Sequence, residues 1–89
     1  MARVSFTPNL QRYVETRELV VCGNNVAEVL GAVFLEVAHL RGYLLDDQGA
    51  LRKHVNIFVD NQAISDRTSL LDPVAATSEV FVVQALSGG

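Results

Sequence analysis

Few residues in this 89-residue chain have the types and spacing to do chemistry, and the ones that stand out are grouped at its end, in Ser87-Gly88-Gly89. Elsewhere the usual reactive groups lack partners. His39 and His54 have no second His or Cys at metal-ligand spacing, which argues against a zinc site. Cys22 closes an apolar run, Leu19-Val20-Val21-Cys22; as the single cysteine it excludes an internal disulfide, and it reads as a small buried hydrophobe. Asp46-Asp47 precedes Gln48-Gly49, the composition of a solvated turn rather than an acid-base dyad. Gly23 and Gly31 have neither the spacing nor the lysine of a phosphate loop.

Two terminal glycines place a carboxylate on a stretch of backbone without Cβ atoms. Glycine accepts either sign of φ and lets a narrow channel close around the chain. A carboxylate is inert until activated. Attack on the α-phosphate of ATP gives an acyl-adenylate, which sulfur or an amine then captures. The alternative is a frayed terminus without a role.

The rest of the chain must position that tail. With 49% hydrophobic and 19% charged residues the chain is expected to fold, and its length fits one domain, divided here into residues 1–86 and a tail of residues 87–89. Net charge is −3, and the seven cations (Arg3, Arg12, Arg17, Arg41, Arg52, Lys53, Arg67) are scattered in sequence, which disfavours nucleic acid as a partner. No apolar stretch approaches the roughly 20 residues of a membrane span. Met1-Ala2-Arg3-Val4 leads into strand-like sequence without a secretion signal, so a cytoplasmic location is expected.

Residues 3–7 alternate polar and apolar, Pro8-Asn9 signals a turn, and residues 14–22 are rich in β-formers, which predicts an N-terminal hairpin with a long loop. Asn25 with Glu28 has capping-box spacing. Val26, Val29, Leu30, Val33, Phe34 and Val37 then recur at helical intervals, and Arg41-Gly42 supplies a stop. This predicts one amphipathic helix from Asn25 to Arg41. Lys53 to Asp60 reads as a strand, with Val55, Ile57 and Val59 on one face and His54, Asn56 and Phe58 on the other. Asp60-Asn61 is a turn dipeptide before a short strand 62–64, residues 65–78 form an irregular crossing, and Glu79 to Leu86 is the last strand. The order β-β-α-β-β-β implies an α+β fold, a mixed sheet of four to five strands on one main helix.

That order, the segment His54-Val55-Asn56-Ile57-Phe58-Val59-Asp60-Asn61 and the ending Ala85-Leu86-Ser87-Gly88-Gly89 resemble ThiS/MoaD-type sulfur carriers, which have the ubiquitin-like β-grasp fold. The resemblance implies a carrier rather than an enzyme. Gly89 would be adenylated by a ubiquitin-activating-enzyme-like adenylyltransferase that uses ATP, then converted to a thiocarboxylate. Gly88 and Ser87 would keep the tail slender. It implies no bound cofactor or metal. It also implies a sulfur donor, such as a cysteine desulfurase, a rhodanese or sulfide, and a sulfur-accepting synthase. Phe58, Phe81 and Val83 would dock partners; the other reading of these three is a second buried face. The family often carries Asp-Gly-Asp-Glu before its last strand, where this chain has Ala76-Thr77-Ser78-Glu79. That departure loosens the link to the thiamine and molybdopterin branches, while the Val55-Asn56-Ile57 strand and the long first loop around Pro8 to Tyr13 are more similar to carriers that feed synthesis of cysteine or another sulfur metabolite. Two alternatives stay open: the small subunit of a molybdopterin-synthase-like complex, and a ubiquitin-like protein modifier.

Overall fold

Strict alternation builds the first strand: β1 (Ala2–Phe6) buries Ala2, Val4 and Phe6 and turns Arg3 and Ser5 to the opposite face. The computed structural model describes residues 1–11 and 18–84, and all that follows concerns those residues. After β1 the chain forms a short helix, α1 (Pro8–Gln11), where a loop is expected from the sequence. Pro8 suits the first helical position, and the turn carries Leu10 fully into the core. The expected strand over 14–22 is described as β2 (Glu18–Val21), antiparallel to β1. Alternation along β2 buries Val21 and leaves Cys22 exposed, which corrects its expected burial.

The helix α2 (Val26–Glu36) begins at the expected cap. Glu28 N–H donates to Asn25 Oδ1 at 2.8 Å, while Glu28 Oε1 accepts from Asn24 N–H at 2.8 Å. The two preceding amides are satisfied from the 65–73 crossing: Val26 N–H donates to Asp72 O at 3.1 Å and Ala27 N–H to Leu70 O at 2.8 Å. The helix N-terminus thus leaves none of its first three donors without an acceptor. Val26, Val29, Leu30 and Val33 are buried, and Phe34 and Val37 pack partly against the core.

The helix does not run on to Arg41. It ends at Val37, the chain turns, and a second helix, α3 (Leu40–Leu44), follows, with Gly42 inside it rather than after its end. Eleven residues of helix rise about 16 Å, matching the roughly 17 Å of a five-residue strand. A straight continuation would carry Leu40 and Leu44 past the end of the sheet. The turn folds both back, and both are completely buried.

The remaining strands are β3 (Val55–Val59), β4 (Gln62–Ala63) and β5 (Glu79–Gln84). Asp60 and Asn61 both have positive φ, 51° and 71°, the geometry of a two-residue hairpin turn between β3 and β4. The five strands are ordered β2-β1-β5-β3-β4. β5 is parallel to β1 and antiparallel to β3, so it is held on both sides in the middle of a mixed sheet. The core lies between that sheet and α2. No helix of the described residues is long and apolar enough to cross a membrane.

Candidate functional site

The last described strand is where the sequence points. Val80 and Val82 of β5 are buried against the helix, so Phe81 and Val83 lie on the outer face. Register places Phe81 directly opposite Phe58 of β3, with Ser5 of β1 on its other side and Ala63 beyond Phe58. Phe81 is 42% exposed; Phe58 and Val83 are half-buried. The three residues therefore share one open sheet face, where Phe58 and Phe81 form a cross-strand aromatic pair. Ser87, Gly88 and Gly89 lie outside the described residues.

Polar groups fix the two ends of β5. At its start Arg3 pairs with Glu79 across β1 and β5 at 2.7 Å, an exposed ion pair that contributes little to stability. Asp60 adds firmer ties. Its carboxylate accepts from Glu79 N–H at 3.0 Å and from the Ser78 hydroxyl at 2.9 Å, and Asp60 N–H donates to Glu79 O at 2.9 Å. The Glu79 amide and then the Ser78 hydroxyl hold the Asp60 carboxyl below its ordinary value of 3.8. At the far end Gln84 pairs with Val55, and its side-chain Nε2 lies 3.4 Å from His54 Nε2.

Two further groups hold the 65–73 crossing, Arg67 through partners distant in sequence and Asp66 through near neighbours. The Arg67 guanidinium donates to Arg52 O and Val55 O, both at 2.7 Å, and to Asn56 Oδ1 at 2.9 Å, binding the 65–73 crossing to the start of β3. Asp66 gathers the crossing around itself, accepting from Ser69 and Leu71 amides and from the Thr68 amide and hydroxyl. The Ser69 and Leu71 amides lead in lowering its pKa. The crossing thereby holds buried Leu70 at φ 58°, a conformation unfavourable for leucine, with its carbonyl on the helix amide of Ala27.

A cleft of about 280 Å³ between β4 and the crossing is lined by Ser65 and by Asp60 and Asp72, and the two Asp carboxylates already accept backbone or hydroxyl hydrogen bonds. Among the described residues no group of three His, Cys, Asp or Glu is placed to hold a metal. What the arrangement offers is a rigid sheet, an apolar outer face and a central strand aimed along the chain toward the tail.

No protein-family model matches the chain, and no curated protein matches its sequence. Solved structures do. SAMP1 from Haloferax volcanii superposes with a TM-score of 0.81 at 23% identity, covering 99% of this chain and 98% of that one. A chain of the BexX/CysO complex of Amycolatopsis orientalis gives 0.88 at 18% identity, with 100% of both chains covered. CysO of Mycobacterium tuberculosis gives 0.85 at 19% identity, covering 97% of this chain and 100% of that one. The ThiS/MoaD-type resemblance read in the sequence agrees with these likenesses at the level of architecture. The mixed five-stranded sheet wrapped on α2 is the ubiquitin-like β-grasp fold.

Proposed function

We propose that this chain is a sulfur carrier whose reactive group is the carboxylate of Gly89. In this reading a ubiquitin-activating-enzyme-like adenylyltransferase uses ATP to form the Gly89 acyl-adenylate, releasing pyrophosphate. Sulfide, or a persulfide with a reductant, displaces AMP to leave a thiocarboxylate. The thiocarboxylate then yields its sulfur to a biosynthetic enzyme, in synthesis of cysteine or another sulfur metabolite. The observation that carries this reading is β5, which is fixed on both sides and carries exposed Phe81 on its outer face. Gln84, its last residue, stands five positions before Gly89. The likeness to CysO, one example of which is a complex with BexX, supports a role exercised with a partner enzyme.

Deletion of Gly89 tests it. The shortened protein is expected to keep its melting temperature and to support no ATP-pyrophosphate exchange with the activating enzyme of the same cell. The full chain, given a sulfur donor, should gain the mass of one sulfur-for-oxygen exchange. Full exchange without Gly89, or sulfur carried on Cys22, overturns the mechanism.

A second reading is favoured by one likeness, that to small archaeal modifier protein 1 of Methanosarcina acetivorans at 22% identity and TM-score 0.83. There the same adenylate would be captured by a lysine amine of another protein. Isopeptide-linked conjugates in the native cell that vanish with Gly89 would establish it.

A further inference from the structure

Cations scattered through the sequence are gathered by the fold. Arg41 sits on α3, and the Arg52 side chain reaches that helix by donating its Nε–H to Gly42 O at 2.9 Å. Lys53 and His54 follow directly, both exposed, and lead into Val55, the register partner of Gln84. Arg41, Arg52, Lys53 and His54 thus form a rim beside the end of β5. Arg41 and Lys53 are exposed, and among the described residues none of the three Arg and Lys side chains has a carboxylate within ion-pair distance. In the loop that connects Arg41 to Arg52, the Asp46 carboxylate is turned onto the amides of Gln48 and Ala50, leaving Asp47 as the exposed acid nearby. At the opposite end of β5 the Glu79 and Asp60 carboxylates lie together, with Arg3 paired to Glu79.

We propose that this basic rim docks an acidic protein surface around the mouth of the channel that receives the tail. The inference rests on the carrier reading for the identity of the partner, and on charge for its chemistry. Five residues beyond Gln84 can span at most about 17 Å. When Gly89 lies at a partner's reacting centre, Gln84 is therefore close outside, and the groups flanking it meet the channel's rim. A partner surface rich in Asp and Glu is attracted to the cations of this end, on a chain whose net charge is −3. Segregated charge therefore orients the encounter tail-first as well as attracting it.

Two measurements test this separately from the carrier reading. In the first, the isotope-labelled full chain is titrated at low ionic strength with a short polyglutamate peptide and, separately, with ATP. Amides at Arg41, Arg52 to His54 and Gln84 should shift with the peptide, and the shifts should vanish in R41E/K53E, whose spectrum otherwise stays folded. No localised shift, or equal shifts with ATP, overturns the proposal. In the second, ATP-pyrophosphate exchange with the activating enzyme should show KM raised about tenfold in R41E/K53E at low salt with kcat held, the gap closing as salt rises. An equal KM overturns the rim as a docking site. Absence of exchange by the unaltered protein overturns the carrier reading instead, and leaves the peptide titration to decide the rim.

Discussion

Phe81 is the residue on which the outer face turns. Register with Phe58 gives it a neighbour, yet 42% of it meets solvent, an uneconomical place for an aromatic ring unless something covers it. Phe81→Asp is expected to cost about 1 kcal/mol of stability, the scale of a lost cross-strand pair, and to slow activation by about tenfold. Thermal melting with pyrophosphate exchange checks both; an unchanged rate would show that partners do not use this face. Strand alternation in Glu79-Val80-Phe81-Val82-Val83 puts Phe81 and Val80 on opposite faces from the sequence, and the fold decides that the face of Phe81 meets solvent. The exposure of Cys22 follows from the same rule, but the run Leu19 to Cys22 is wholly apolar, so nothing local marks which side is solvent. Arg67 was beyond such reasoning altogether. Its three acceptors lie 11 to 15 residues away in sequence and meet it only once the crossing is folded.

At the scale of elements, α2 shows both what periodicity reveals and what it conceals. Its start is written in Asn25 and Glu28, and Asn25→Ala should lower stability by about 1 kcal/mol in a denaturant melt, because the Glu28 amide loses its acceptor. Just before it, Gly23 is required by space: a Cβ there would lie 2.8 Å from both Val29 Cγ2 and the Val29 backbone nitrogen. Gly23→Ala is accordingly expected to destabilise the domain by about 1–3 kcal/mol, seen as a lower melting temperature, since the backbone on one side of the clash cannot yield. The helix end is not legible in the same way. Val33, Val37, Leu40 and Leu44 keep helical spacing through the break, and no glycine or proline interrupts residues 32–41. What ends α2 is the length of the sheet it covers, a property of five strands together. For the same reason α1 is silent in the sequence: four residues carry no period, and their helix is fixed by the buried Leu10.

Over the whole molecule, the Asp60 carboxylate ties the β3–β4 turn to the start of β5 and the Asp66 carboxylate holds its own crossing together, and both titrate below the ordinary value of 3.8. A carboxyl whose folded pKa is lowered contributes stability that is complete above 3.8 and is lost as pH falls through the lowered value. The melting temperature should therefore hold on acidification to about that point and decline below it. Asp60→Asn keeps a residue tolerant of positive φ but removes the charge, so it should melt lower at neutral pH and decline less in acid; a parallel decline would assign the acid sensitivity elsewhere. The sheet has a mechanical property as well. Arg3 lies beside Glu79 and Phe6 beside Val82, so β1 and β5 run the same way in adjacent positions. Traction between Ala2 and Gln84 pulls these two strands in opposite directions along their length. Every hydrogen bond between them then bears the load at once instead of parting one by one like a zipper. A load applied at Gln84 against the start of β1 is thus met by the whole β1–β5 ladder.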